Sequence, residues 1–351
     1  MSASLRQIFL GTFFAATLLC IVLSTSTARA ASYHVILCGS GGEPEFSATY
    51  KSWGTRLQDV LVGQLGVPED RVVLLTEGLN EDPPPLTTTS LESIRDIFGA
   101  LSGRVTAADE LFTYIIGHGS YLKNVSKFHI PGEDLTAEEF DSLLEAIPAK
   151  RMIIVNGTSS SAGFVNVLSG EGRVICVATK SVSEINATEF MGFFIEGLED
   201  GSADRDHDER ISILEACEQA SELTASWYVS ESLIATEHAL LDDNGDGLGS
   251  RLPIEVFAAD ADEESEKDAE EVLDGALARE SFVKDYSFHA DVPQELIDTY
   301  LGALEAVNAL RLNKAELAED DYFARLEEIL LKAARANREI RSFDPAHSSD
   351  S

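Results

Sequence analysis

Two short stretches of this chain carry residue types suited to nucleophilic chemistry. In "YIIGHGSY", His118 stands between Gly117 and Gly119, directly after an apolar run. Glycines on both sides let a backbone approach a substrate closely and free an amide N–H for an oxyanion. In "RMIIVNGTSSSAGF", the apolar run Met152 to Val155 breaks into small polar residues, with Ser159, Ser160 and Ser161 in succession. A strand that ends in a tight small-residue loop is where many α/β enzymes hold a nucleophile. A histidine and a hydroxyl loop on one rim would suit a general base beside its nucleophile. Taken singly, each stretch also fits an ordinary turn.

A third stretch suits a cation. "DRDHDERISILE" places Asp204, Asp206 and Asp208 at positions one, three and five of a loop that ends on Glu215 at position twelve. This is the ligand spacing of an EF-hand, in which alternate carboxylates and a terminal bidentate Glu wrap Ca²⁺. Ca²⁺ is therefore the expected cofactor, and no organic cofactor is implied. Glu209 occupies position six, where the turn favours Gly, so it must adopt a positive φ. The competing reading is a solvated acidic loop whose Ser212 caps the next helix. "DDNGDGLGS", from Asp242, matches the first six positions only, and reads as an Asx-rich turn or an incomplete cation site.

These stretches need elements to position them. From Tyr33 onward apolar strand-like runs alternate with helical periodicity: "YHVILC", "RVVLL", "ELFTYIIG", "RMIIV" and "RVICVAT" as strands, with amphipathic segments between. Such alternation predicts a mostly parallel sheet covered by helices on both faces, with sites at the carboxyl ends of the strands. "LTAEEFDSLLEAI" carries a capping box, Thr136 facing Glu139. After residue 257 the pattern changes. Residues 258–289 read as an acidic linker, 290–343 as a helical hairpin or coiled coil, and 344–351 as a disordered tail. The hairpin offers a surface for self-association.

The first thirty residues are set apart. Arg6 precedes a long apolar run, and Ala28-Arg29-Ala30 forms an A-x-A cleavage pattern, which predicts a secretory signal peptide and an exported chain starting near Ala31. Its loss removes two arginines from a chain of 351 residues whose formal net charge is already −35. So acidic a protein repels nucleic acid and anionic membrane surfaces, and no membrane contact is expected after cleavage. The remaining cysteines, Cys38, Cys176 and Cys217, are odd in number and sit in or near apolar runs, which reads as core thiols.

In the order and spacing of its motifs the chain resembles the caspase/legumain superfamily of cysteine peptidases, most nearly the legumain-like branch. There one strand ends in His-Gly and the next in a small residue followed by Cys-x-Ser-Gly. "IIGHGS" matches the first motif at His118 and Gly119, and "TSSSA" lies over the second from Thr158 to Ala162. The likeness spans roughly residues 33–250. It implies a three-layer α/β/α sandwich, with the C-terminal hairpin as an addition, and endopeptidase chemistry. In that chemistry His118 is the base, the Gly119 amide stabilises the oxyanion, and Ser161 and Glu184 flank the substrate. The departure is Ser159, which stands where the family keeps its Cys. A serine hydroxyl is far less acidic than a thiol and needs a well-placed base. The expected function is thus a non-catalytic homologue that binds a peptide or protein segment. A serine-type hydrolase using Ser159 and His118, with Ser160 or Ser161 as other candidate nucleophiles, and a purely structural loop remain the alternatives.

Overall fold

The computed structural model describes residues 31–78, 88–254, 274–284, 291–312, 314 and 317–343. The expected signal peptide, the C-terminal tail and most of the expected acidic linker lie outside them.

Five parallel strands form the centre of the fold: β1 (Ser32–Cys38), β2 (Val72–Leu75), β3 (Glu110–Ile116), β7 (Arg151–Asn156) and β8 (Arg173–Val177). Between β3 and β7 the chain makes a small antiparallel sheet of β4 (Gly119–Leu122), β5 (Val125–Phe128) and β6 (Leu135–Thr136). The pairs β9 (Ile211–Ser212) with β12 (Phe282–Lys284), and β10 (Leu240–Asp242) with β11 (Ser250–Arg251), complete the strands. The main sheet runs β11-β10-β8-β7-β3-β1-β2, with β10 and β11 antiparallel at one edge. The runs that read as strands are those whose residues are apolar on both faces, as a sheet buried on both sides requires.

Residues alternate strictly between two cores. Ile36, Cys38, Phe112 and Tyr114 face a layer of α1 (Pro44–Asp59), α5 (Phe190–Glu199) and α6 (Ile213–Ser230). Val35, Leu37, Leu111 and Ile115 face α2 (Leu91–Ser102), α3 (Ala137–Glu145) and α4 (Ala162–Leu168). The result is a three-layer α/β/α sandwich. Helix starts follow local chemistry. The Ser90 side chain accepts from Ser93 N, Thr136 from Glu139 N, and Ser212 forms a full capping box with Glu215. Helix α1 continues as a single π-turn over Val60–Gln64.

After β1 and β2 the chain returns to the other side of β1 to lay down β3, and the covering helices change face accordingly. The order therefore reverses between β1 and β3, and the crevice beyond their carboxyl ends is where open α/β sheets bind ligands. His118 follows β3 at that place.

One boundary differs from expectation. The linker expected over 258–289 belongs to the domain across 274–284. Short helix α7 (Ala276–Arg279) and β12 bring Ala278 and Val283 into the core, and β12 pairs with β9. The charge density upstream obscured this apolar island. Beyond it, α8 (Gln294–Leu312) and α9 (Glu319–Arg341) pack together around Tyr300, Ala303, Ala333 and Ala336.

Candidate functional site

Parallel pairing of β3 with β7 in the register Ile115↔Asn156 sets their carboxyl ends level. His118-Gly119 and the loop Gly157–Ser161 consequently meet on one rim. The two glycine-flanked elements touch: a Cβ on Gly119 would lie 2.5 Å from the Ser159 carbonyl oxygen and 2.7 Å from Thr158 Oγ1. Any side chain there would force the loops apart, so position 119 needs a glycine for close approach rather than for an unusual φ.

The hydroxyl of Ser159 is committed to that contact. Its Oγ accepts a hydrogen bond from Gly119 N at 3.1 Å and donates one to Gly119 O at 3.0 Å. Strand parity explains why Gly119 offers both groups. His129 N donates to His118 O across the β4–β5 ladder, which makes Gly119↔Phe128 the next, non-hydrogen-bonded pair. The N–H and C=O of Gly119 thus turn away from β5 and towards the serine loop. Ser159 is buried, at 2% exposure.

His118 faces elsewhere. Tyr50 Oη, from α1, lies 3.2 Å from its Nε2 and 3.3 Å from its Nδ1. Phe46 meets the same ring edge-on with centroids 4.9 Å apart. Among the described residues no hydrogen bond joins His118 to a hydroxyl of the serine loop. Burial, seconded by the nearby His129, holds the His118 pKa below its ordinary value, against a hydrogen bond with the Gly41 backbone. The imidazole is accordingly neutral at pH 7. Burial chiefly, and then the negative charge of Glu189, pushes the Tyr50 hydroxyl up beyond the range in which it ionises at neutral pH.

The other hydroxyls of the loop have distinct roles. Ser160 sits at the tip with φ +55°, and its buried Oγ has no hydrogen-bond partner among the described residues. Its backbone N–H donates to Glu184 O at 2.8 Å. Ser161 Oγ lies 3.1 Å from Thr179 Oγ1 and accepts from Thr179 N, so it fastens α4 to the end of β8. Glu184 accepts from Lys180 N and pairs with His238 Nδ1 at 2.6 Å. Neighbouring Glu237 accepts from Glu189 N and Phe190 N at the start of α5. Burial pushes its carboxyl up to about 7.

Glu237 and His238 also line a cavity of about 1410 Å³, together with Phe190, Tyr228 and Arg251. His118, Gly119, Ser159, Ser161 and Glu184 are candidates from the sequence alone, whereas Tyr50, Glu237 and His238 are not. Tyr50 lies 68 residues from His118 and His238 lies 54 from Glu184. Neither carries a local motif, and only the fold brings them near.

The acidic loop folds back on its own carboxylates. Carboxylate oxygens of Asp204, Asp206 and Asp208 gather within 4.8 Å of one another. His207 and Glu209 adopt φ +60° and +71°, so Glu209 takes the left-handed turn that usually needs Gly. Asp204 accepts from the backbone N–H groups of Asp208 and Glu209. Glu215 is engaged with Ser212 and with the N–H groups of Arg205 and Asp206. Arg210 holds Asp208 at 2.8 Å. Burial first, and then the neighbouring Asp208, Glu215 and Asp204, raises the Asp206 pKa. A divalent cation would relieve this mutual repulsion, and the donor set fits one that prefers oxygen.

Fold and site together define a three-layer α/β protein whose His-Gly and serine loops share the carboxyl rim of a mostly parallel sheet. No family model matches the chain, and no curated protein matches it in sequence. Solved structures resemble it at low identity. A Geobacter sulfurreducens protein is 8% identical over 64% of this chain and 98% of its own, with a TM-score of 0.40. The structure of drICE is 10% identical over 61% of this chain and 88% of its own, with a TM-score of 0.39. The Drosophila initiator caspase Dronc is 12% identical over 64% and 82%, with a TM-score of 0.38. Likenesses of this size say nothing of activity.

Proposed function

We propose that this chain is an exported, non-catalytic relative of the caspase/legumain peptidases that binds peptide or protein segments. The observation that carries the reading is the closed contact between Ser159 and Gly119. A serine nucleophile must pass its proton to a base, and an oxyanion needs a free donor. Here the Ser159 proton is directed at a carbonyl, and the Gly119 N–H is already taken by Ser159 Oγ. His118, next to Gly119, engages Tyr50 instead. Each part of a hydrolytic site thus satisfies another part.

Binding is supported by the large cavity lined by Glu237 and His238. Its walls mix Phe190 and Tyr228 with Glu222, Glu237, Arg251 and Arg279, a lining suited to an extended peptide with both apolar and charged side chains. His238 connects it to the loop through Glu184, whose carbonyl holds Ser160 N. The acidic loop from Asp204 to Glu215 adds a Ca²⁺ site at the start of α6.

The test is a panel of fluorogenic peptides with the wild type, Ser159→Ala and Ser159→Cys. No turnover is expected from the wild type, while fluorescence anisotropy detects retained peptide binding. Wild-type cleavage that Ser159→Ala abolishes would overturn the reading and favour a serine-type hydrolase. Cleavage that appears only in Ser159→Cys would support it, by showing an intact groove that lacks its thiol.

A further inference from the structure

Helix α9 packs one face on α8 and leaves a second apolar stripe in solvent. Ala333 and Ala336 are buried, with Ile329 and Ile340 partly so, against α8, and Tyr322 is buried on the same side beneath Lys314. At about 100° per residue these positions share one side of the helix. Phe323, Leu330 and Leu331 are 53%, 47% and 49% exposed. With exposed Ala334 they form another stripe, rotated by roughly a third of a turn from the first. A helix with a single neighbour needs one apolar stripe, so the second calls for a second neighbour.

Charge along α9 identifies that neighbour. From Glu319 to Glu328 the helix carries Glu319, Asp320, Asp321, Glu327 and Glu328 against Arg325 alone. From Ile329 to Arg341 it carries Lys332, Arg335, Arg338 and Arg341 against Glu339 alone. The cationic half stands out in a chain of net charge −35. The stripe follows the same order: exposed Asp320 and Glu327 at one end, leucines in the middle, Arg338 at the other. A partner of uniform charge would attract one half and repel the other. A second α9 running antiparallel satisfies both halves at once. A two-fold axis near Leu330 brings Leu330 and Leu331 of the copies together and sets Asp320 near Arg338 of the other copy. The Arg341 guanidinium reaches Glu209 Oε1 of its own chain at 2.9 Å, which ties the last turn of α9 to the domain.

We propose that α9 is a homodimerisation surface, on which two copies of this chain pair antiparallel about Leu330. Self-complementarity of this kind is what a two-fold interface requires. A single helix pair falls at the small end of interface sizes, so the dimer is a reversible one that forms at about 10–100 µM.

Sedimentation velocity and disulfide trapping test it on the purified protein. The wild type is expected to sediment as a dimer at high concentration and low salt, and to loosen as salt screens the charged ends. Leu330→Glu is expected to weaken the dimer at least tenfold with the circular-dichroism spectrum unchanged. Arg338→Glu is expected to weaken it, and Arg338→Glu combined with Asp320→Arg to restore it, because both signs are then reversed together. Leu330→Cys is expected to cross-link to itself on mild oxidation. Phe323→Cys is not, because antiparallel pairing separates the two copies of that position by roughly 20 Å. The native thiols Cys38, Cys176 and Cys217 are buried and do not compete. A monomer at every concentration and salt would overturn the proposal, as would Phe323→Cys cross-linking as readily as Leu330→Cys.

Discussion

Replacing Ser159 by alanine separates a structural role for this hydroxyl from a catalytic one. The wild-type Oγ makes two hydrogen bonds to a buried glycine, 3.1 Å from its N–H and 3.0 Å from its C=O. Alanine leaves both backbone groups in place with no partner, and Ser159 itself is only 2% exposed, so bulk water does not replace the hydroxyl. A buried polar group stripped of its partner costs about 1–3 kcal/mol, and two such groups sharing one former partner come to roughly 2–4 kcal/mol together. In a domain of this size each kcal/mol moves the melting midpoint by about 2–4 °C, so a fall of roughly 5–12 °C is expected. Ser160→Ala is the internal control. It removes the same atoms one residue away, but from a buried hydroxyl with no partner among the described residues, so its cost is expected to stay below about 1 kcal/mol. Urea unfolding at constant slope gives both values. Equal losses for the two variants, or a Ser159→Ala protein as stable as the wild type, would rule out a structural role for this hydroxyl. Active-site nucleophiles often behave in that second way, because sites kept for chemistry are not optimised for stability.

Other outcomes follow from individual groups. Burial raises the folded-state pKa of Glu237 from 4.5 to about 7, so the protonated form is favoured in the fold. Its contribution is therefore fully present below pH 4.5 and is lost as pH rises towards 7. The wild type is expected to lose on the order of 2–3 kcal/mol relative to Glu237→Gln across that window, and parallel denaturation curves at low and neutral pH would contradict this. Millimolar Ca²⁺ is expected to raise the melting midpoint of the wild type and to leave Asp204→Ala unmoved, because Asp204 orders the loop through Asp208 N and Glu209 N as well as offering a ligand. The absence of any shift in the wild type would remove the cation from the proposal.

Much of this protein is written in short stretches of its sequence. The parallel strands declare themselves because "YHVILC", "ELFTYII" and "RMIIV" are apolar on both faces, and burial on both sides leaves no alternation to misread. Helix starts at Thr136 and Ser212 are legible because a cap acts over three residues. The His-Gly and serine loops belong to one rim because successive parallel strands end on the same side of a sheet. The left-handed turn at Glu209 follows from the ligand spacing around it.

What those residues do to one another is decided only in three dimensions. Whether the Ser159 hydroxyl faces a histidine or a glycine depends on the register of β3 with β7 and on the ladder parity that turns Gly119 outward. Tyr50 reaches His118, and His238 reaches Glu184, across 68 and 54 residues of chain, with no periodicity to announce either contact. The apolar island at Ala278 and Val283 is found only because β12 pairs with β9. Local sequence sets which groups are present and which way the backbone runs. The direction of a single hydroxyl is set by packing between distant segments, and in this chain that direction decides whether the serine loop is a nucleophile or a clasp.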